Sequence, residues 1–363
     1  MANLITYGKL YLGSTEVDKM YLGDTCVYDK NNYNYTVDYS TKYLTFDILT
    51  NGYIGWCVKG SGNAYVDGYQ TIQYSKNGGT WTTLNPSSDS YLPGDNVAVI
   101  QVSAGDKVRF KHYTGVTHYG CEYTGGGGYS WDTYQHSYHS FGASFGSGSL
   151  LNLTGATFNV SGNIMSLLYD DFASQTSFPS WSTANFTSNS THLMGLFQGC
   201  TGLISAENLV LPATTVSRGC YADMFYGCTN MTKTPKELPG DINYYSYDYM
   251  FNGCTSLTQS PVIRATALTY GSGFTPSTSI HYSDNYYGGC RMMFQGCSSL
   301  NNITCLTTTY DYDTFSGWVN NVSSSGTFYK NSSMAETGTT TSSWTGRGVS
   351  KIPTNWTVVD YTE

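Results

Sequence analysis

The phrase Phe-x-Gly-Cys recurs along the second half of the chain and constrains its fold more than any other feature. Successive Phe residues of its four copies are 28, 26 and 43 residues apart, and a degenerate fifth copy, Phe315-Ser-Gly-Trp318, begins 21 residues later. Repeats of about 20–50 residues are typical of arrays in which each unit must stack on its neighbours to bury its apolar face. The predicted interior of this array contains Phe197, Cys200, Phe225, Cys228, Phe251, Cys254, Phe294, Cys297 and Phe315.

Each unit is expected to begin with a short helical turn whose Met, Phe and Cys side chains point inward. The Gly then ends the turn, and a Thr-x-Leu segment starts a strand. The long third interval contains a Tyr/Ser/Gly-rich insertion at residues 269–288, which is expected to project from one face. We assign residues 161–326 to the repeats and 327–363 to a C-terminal cap with a closing strand around Trp356 to Val359.

The stretch before the repeats has a different pattern. Residues 31–160 contain short β-branched and aromatic runs separated by turn signals, such as VAVIQV and KVRFKHY, which indicate a β-sandwich-like domain. The tract KNGGTW predicts a hairpin turn, with Gly78 and Gly79 able to take positive φ. Residues 114–149 lose this periodicity and predict a long Gly/Tyr/His-rich surface loop. The expected fold is therefore mainly β.

The first 30 residues contain a ten-residue duplication, KLYLGSTEVD followed by KMYLGDTCVY. Each copy alternates apolar and polar residues around a Gly turn, which predicts a strand and a tight turn. Two such strands need a host surface, so residues 1–30 are interpreted as an anchor arm that docks by strand addition through Tyr11, Leu12, Tyr21 and Leu22. A hairpin folded onto its own domain is the alternative.

Composition excludes several classes of partner. Charged residues make up 12% of the chain, the net charge is −8, and no Lys or Arg lies between Lys111 and Arg218, which argues against nucleic-acid binding. The sequence has neither an apolar run of about 18 residues nor a signal-peptide pattern, so membrane insertion is not expected. The ten Cys residues follow the repeat and are interpreted as mostly buried thiols.

Reactive centres are weakly indicated. His118, Cys121, His136 and His139 have spacings that could hold a transition metal, but hydrogen-bonding His residues in a polar loop are the preferred reading. The acid pairs Asp170/Asp171 and Asp311/Asp313 are nearly adjacent, whereas glycoside hydrolysis requires two carboxylates about 5–10 Å apart. No nucleophile or metallohydrolase signature occurs, so we expect neither an enzyme nor a cofactor.

Clustered aromatic residues are the candidate ligand-binding groups, because Tyr combines a rigid apolar face with a polar tip. They could equally pack between subunits or over sheet edges. The candidates are Tyr129, Trp131, Tyr134, Tyr138, Tyr244, Tyr245, Tyr247, Tyr282, Tyr286 and Tyr287.

The segments MFYGCTNMTKTP, MFNGCTSLTQSP and ENLVLPATTV resemble leucine-rich repeats of the BspA type, which are cell-surface or virion modules of gut bacteria and their phages. The likeness covers roughly residues 164–360. The segment GNIMSLLYDDF resembles the introduction to such repeats in phage proteins, and the duplicated KxYLGxTxV opening is similar to the N-termini of virion-associated proteins of these phages.

The resemblance implies a bacteriophage virion protein, made in the host cytoplasm, that binds and does not catalyse. A head-fibre or tail-fibre subunit is expected, with other virion proteins as partners and adhesion to a host-surface or mucosal glycan, or to a host protein, as its role. Family habit suggests a homotrimer. The alternatives are a purely architectural capsid or tail protein, a bacterial surface adhesin and a glycan depolymerase.

Overall fold

The protein is mainly β, as the sequence predicts, in a computed structural model that describes most of the chain. The described helices are 3-10 helices of three or four residues, at Tyr39–Thr41, Ile164–Leu167 and Phe172–Ser174, and all are far too short to cross a bilayer. The structure describes residues 37–59, 71–85, 97–114, 138–142, 153–179, 193–214, 216, 219–238, 246–265, 267–268, 289–310, 314–334, 348 and 350–362, with the strands at 3–6, 9–12, 15–16, 19–22, 25–29, 182–183 and 186–187.

Residues 1–38 form one compact unit and residues 39–363 another. The strands of the first unit are β1 (Asn3–Thr6), β2 (Lys9–Leu12), β3 (Thr15–Glu16), β4 (Lys19–Leu22) and β5 (Thr25–Asp29). The duplicated decapeptides pair in the same register: Leu12 lies opposite Thr15 in the first copy, and Leu22 lies opposite Thr25 in the second. The two copies of the sequence therefore form the same antiparallel hairpin twice.

The next strands form two mainly antiparallel sheets. They are β6 (Leu44–Ile48), β7 (Gly52–Lys59), β8 (Ile72–Lys76), β9 (Thr82–Leu84), β10 (Val97–Val102), β11 (Lys107–His112), β12 (Tyr138–Gly142) and β13 (Phe158–Asn163). One sheet has the order β10-β7-β12; the other begins β9-β8-β11-β6-β13 and continues into the repeats. Phe46 of β6 contacts Phe141 of β12 with ring centroids 4.8 Å apart, so aromatic side chains join the two sheets.

The later strands are mostly short and pair in parallel. They are β14 (Ser182–Thr183), β15 (Phe186–Thr187), β16 (Leu203–Val210), β17 (Glu237–Leu238), β18 (Gln259–Ile263), β19 (Ala267–Leu268), β20 (Asn302–Cys305), β21 (Thr309–Tyr310), β22 (Thr327–Lys330) and β23 (Thr357–Asp360). One sheet has the order β17-β18-β20-β22-β23, all parallel. The pairs β14-β15, which is antiparallel, and β19-β21, which is parallel, form two small sheets.

The expected domain boundary between residues 160 and 161 lies inside β13. This strand pairs antiparallel with β6 and parallel with β16, the first long strand of the repeat region. One buried apolar cluster also runs from Leu44 to Trp356. The structure therefore does not divide the chain at residue 160, because the first repeat strand extends the sheet of the preceding domain.

Two local expectations need correction. The turn after β8 forms as predicted, but Asn77 and Gly78 take the positive φ values, 52° and 77°, and Gly79 does not. The expected loop at residues 114–149 contains β12, in which Phe141 is only 1% exposed. The sequence does not reveal this strand, because Phe141 lies among Gly, Ser and Tyr residues and no alternation of apolar and polar residues is visible there.

A ladder of backbone hydrogen bonds joins the repeat turns. The Phe197 N–H donates to the Met224 carbonyl at 2.8 Å, and the same bond recurs from Phe225, Phe251 and Phe294 to the next turn. Phe141 donates in the same way to the Leu196 carbonyl at 2.8 Å. The turns therefore stack in a single register that begins on β12.

The Phe rings stack along this ladder. The centroids of Phe197 and Phe225 are 5.4 Å apart with an interplanar angle of 1°, and the next two steps, to Phe251 and Phe294, are 5.3 Å and 5.5 Å. Phe141 begins the stack 5.6 Å from Phe197. All five rings are at most 1% exposed, so each ring is buried by its neighbours along the stack.

The fifth copy has a different register from the one read in the sequence. Phe294 donates its N–H to the Trp318 carbonyl and Gly296 donates to the Asn320 carbonyl, which places Val319 in the Phe position and Asn321 in the Gly position. The backbone agrees, because Gly296 has φ 76° and Asn321 has φ 58°. The last interval, from Phe294 to Val319, is therefore 25 residues long. Phe315 is buried, but it lies four residues before the position that a repeat Phe occupies.

The C-terminal segment covers the last turn. The Trp318 indole N–H donates to the Lys351 carbonyl at 2.9 Å, and the Trp356 indole N–H donates to the Ser323 carbonyl at 2.9 Å. Ile352 and Trp356 are 1% and 4% exposed. Strand β23 then extends the parallel sheet at its edge, where Val359 is 41% exposed.

Replacing Phe251 by Ala should lower the free energy of unfolding by about 3–5 kcal/mol, because the change removes a central ring and leaves a cavity between two others. Chemical denaturation measures this loss. Tyr226→Ala is the control, since Tyr226 is 40% exposed and its removal should change stability by less than about 0.5 kcal/mol. Equal effects of the two substitutions would contradict the stacked core.

Asn321→Ala should cost about 1–2 kcal/mol, because Ala is poorly tolerated at positive φ, whereas Asn321→Gly should be neutral or stabilising. Asn320→Ala at the adjacent position is the matched control and should be nearly neutral. Thermal and denaturant unfolding measure all three variants. A neutral Asn321→Ala would argue against the revised register.

Candidate functional site

The Cys residues of the repeat act as hydrogen-bond donors between turns. Cys228 Sγ donates to the Phe197 carbonyl at 3.0 Å, Cys254 Sγ to the Phe225 carbonyl at 3.1 Å and Cys297 Sγ to the Phe251 carbonyl at 3.0 Å. Seven described thiols are buried and reduced, at Cys200, Cys220, Cys228, Cys254, Cys290, Cys297 and Cys305. Burial raises the pKa of Cys254 and Cys290, so both remain protonated donors.

Glycines form a second column beside the thiols. An added Cβ on Gly227, Gly253 or Gly296 would lie 3.8, 3.7 or 3.6 Å from the Cα of the preceding Gly. Their φ values of 69–76° also disfavour other residues. The Phe-x-Gly-Cys phrase thus supplies the ring, the left-handed turn and the donor that stack one unit on the next.

Tyr247 is not available as the predicted ligand-binding residue. It is 0% exposed, and its ring stacks on that of buried Tyr221 with centroids 5.8 Å apart. Tyr247 is buried because of its position in the turn. It is equivalent to Tyr221 in the preceding turn and to Cys290 in the following turn, and both of these residues are also buried. The Tyr-rich context of the sequence conceals that periodic role.

For the other predicted site residues, the structure gives a strand position at most. Tyr138 and His139 lie in β12, opposite Lys59 and Val58. The anchor residues Tyr11, Leu12, Tyr21 and Leu22 lie in β2 and β4. Outside the described residues are Tyr129, Trp131, Tyr134, Tyr244, Tyr245, Tyr282, Tyr286, Tyr287, His118, Cys121 and His136. Among the residues that are described, no three His, Cys, Asp or Glu side chains are grouped to hold a metal.

A buried acid and base face each other on the turns that flank the insertion. Asp248 Oδ1 accepts the Arg291 backbone N–H at 2.8 Å, and Asp248 Oδ2 lies 3.4 Å from Arg291 Nε. The two residues are 3% and 5% exposed. Burial raises the pKa of Asp248 to about 8, although the Arg291 guanidinium acts in the opposite direction.

Asp223 lies one turn before Asp248 and is half-buried. Burial raises its pKa to about 7, while Arg291 again acts in the opposite direction. Asp223 and Asp248 thus both interact electrostatically with the Arg291 guanidinium. Because of burial, each of them binds a proton more readily than an exposed Asp does. The Arg291 guanidinium also lies over the Tyr249 ring, 5.1 Å from its centroid.

An aromatic and basic cluster lies on the sheet of the N-terminal part of the second unit, and the sequence gives little sign of it. The Trp81 ring lies beside Tyr43 with centroids 5.1 Å apart. Lys111 Nζ and Arg109 Cζ lie over the Trp81 ring, 5.0 Å and 5.5 Å from its centroid. All four side chains are half-buried. Tyr43, Trp81 and the Arg109/Lys111 pair come from three separate segments of the sequence. The pairing of β11 with β6 and β8 brings these segments together.

The two cations of this cluster lack the acidic partners that their neighbours have. Lys76 lies 3.4 Å from Asp106, Lys107 contacts Asp47, and His112 Nε2 lies 3.0 Å from Asp170 Oδ1. Arg109 and Lys111 form no ion pair with any described residue, and Arg109 Nη2 donates to the neutral Ser75 hydroxyl at 3.0 Å. The arrangement can therefore receive an anion beside an aromatic ring.

Comparison with known proteins identifies no relative. No family profile, curated protein or solved structure matches this chain.

The free energy of unfolding should fall as pH rises from about 4 to about 8, because the folded chain holds protons on Asp223 and Asp248 that the unfolded chain releases. Each such proton contributes a slope of up to about 1.4 kcal/mol per pH unit. Asp248→Asn should flatten the profile.

Glu207→Gln is the control for this pH dependence, because Glu207 is an exposed acid on β16 that forms no ion pair with the described residues. Denaturant unfolding at a series of pH values measures the slopes. If wild type and Asp248→Asn give parallel profiles, Asp248 does not carry the proton.

Proposed function

We propose that the protein is a non-catalytic virion protein of a bacteriophage, a fibre or decoration subunit built on a β-sandwich-like domain and a short BspA-type leucine-rich-repeat solenoid. Residues 1–30 anchor the subunit on the particle, and the body adheres to host-surface or mucosal glycans. One observation carries this proposal: the register of hydrogen bonds and rings is continuous from Phe141 to Trp318.

Such a stack supports a presenting role. The Phe, Gly and Cys residues that mark the repeat are directed to stacking, and the thiols of Cys228, Cys254 and Cys297 donate hydrogen bonds between turns. Burial raises the pKa of Cys254, which makes it a poor nucleophile. Weak single sites on such a body become effective when several copies on one particle bind together. Partners are then other virion proteins, further copies of the chain, as in a trimer, and a surface saccharide.

The buried position of Tyr247 favours a second candidate function, a purely architectural capsid or tail protein. At that site the Tyr side chain packs against Tyr221 and is fully buried. If the remaining Tyr clusters serve the same purpose, the body decorates the particle without a ligand. Glycan-array binding by the purified protein separates the two functions, because an architectural subunit should bind none of the saccharides.

Deletion of residues 1–30 should leave a soluble, folded body that no longer joins particles, because residues 1–38 form a compact unit of their own and the deleted strands pair among themselves. Circular dichroism and particle incorporation in a complementation assay measure the two results. Deletion of residues 269–288 is the control and should leave incorporation intact. Incorporation of the shortened chain at the wild-type level would refute the anchor.

A further inference from the structure

We propose that the cluster of Tyr43, Trp81, Arg109 and Lys111 is a binding site for an acidic saccharide, one that carries the carboxylate of a uronic acid. The inference deepens the proposed adhesive function and rests on it for the choice of a saccharide as the ligand. The juxtaposition that carries it is an aromatic ring with two cations within 5.5 Å of its centroid and no acidic partner for either cation among the described residues.

The charge of the cluster points to an anionic ligand. On the same strands, Lys76, Lys107 and His112 each have an acid within contact distance. Arg109 and Lys111 have a hydroxyl and an aromatic ring in place of a carboxylate, in a chain whose net charge is −8. A half-buried cation without a counter-ion is unfavourable, and an anion that reaches both side chains relieves this.

The aromatic residues point to a saccharide. Trp81 and Tyr43 lie edge to face with an interplanar angle of 65°, and both side chains keep part of their apolar surface exposed. The C–H face of a pyranose packs against such a surface, and its equatorial hydroxyls bond to polar tips. A carboxylate on the same sugar can then reach the cations beside the ring. An acidic peptide without aromatic or proline residues would use the cations but has no flat apolar face for the ring.

The site is rigid before any ligand binds. Arg109 and Lys111 lie in β11, which pairs on one side with β6 and on the other with β8. The Ser75 hydroxyl, which accepts from Arg109 Nη2, donates to the Gly79 carbonyl at 2.6 Å, so the guanidinium is tied to the hairpin that carries Trp81. Preorganised groups lose little entropy on binding, which favours a specific site on this face.

Calorimetric titration of the full chain tests the site with two acidic probes, a galacturonate oligosaccharide and a hyaluronan oligosaccharide, and with a neutral galactose oligosaccharide of equal length. We expect an acidic probe to bind and the neutral probe to bind at least about tenfold more weakly, because the charge-assisted hydrogen bonds are absent. The affinity should fall as salt is added.

Trp81→Ala and Lys111→Gln should each weaken binding of the acidic probe by about tenfold. Lys107→Gln is the matched control, because Lys107 lies on the same strand with Asp47 as its partner, and it should bind as wild type does. Thermal unfolding of each variant confirms that it is folded. If Trp81→Ala does not fold, Lys111→Gln still tests the site.

Failure of the chain to bind either acidic probe, or binding that Trp81→Ala and Lys111→Gln both leave unchanged, overturns the site. Equal affinity for the neutral probe overturns the role of the cations. Equal affinity for an oligoglutamate of matched charge overturns the assignment to a saccharide. These readouts use the purified chain alone, so they leave the virion assignment to the particle-incorporation test, which can fail or succeed independently.

Discussion

Several backbone hydrogen bonds from each turn to the next hold the second half of this protein in register, and one of them in each turn runs from the N–H of a buried Phe to a carbonyl of the next turn. The bond lies between stacked rings that exclude water, so its loss would leave a buried donor without a partner. The same spacing places a thiol beneath the carbonyls of Phe197, Phe225 and Phe251 and a Gly against the preceding Gly. Ring, thiol and glycine are therefore parts of one contact, which explains why they recur together in the sequence.

The stack begins on the preceding β-domain and not on a repeat. Phe141 of β12 takes the position of a repeat Phe, and Phe46 contacts Phe141, Phe158 and Phe197. Solenoid-like arrays need a cover for their first unit, because its apolar face would otherwise meet water. Here the two sheets provide that cover, and β13, which pairs with β6 on one side and with β16 on the other, connects the larger sheet to the repeats.

Much of the core could be predicted from the sequence, because Phe197, Phe225, Phe251 and Phe294 have an unusual and repeated context. The last turn could not, since Val319 and Asn321 share no letters with the phrase they replace, while Phe315-Ser-Gly-Trp318 imitates it four residues early. Only the positive φ of Asn321 and the bond to the Trp318 carbonyl reveal the true alignment. The Trp81 cluster was missed for another reason: strand pairing brings its members together, and no local pattern marks them.

Burial of the described thiols, which raises the pKa of Cys254 and Cys290, has a consequence for their chemistry. Thiolate is the species that attacks disulfides and alkylating reagents, and little of it forms when desolvation opposes ionisation. The described sulfurs are also inaccessible to glutathione as long as the turns remain stacked. The described thiols thus keep one covalent form when the chain passes from a reducing to an oxidising medium, and their labelling by iodoacetamide would report unfolding and not redox state.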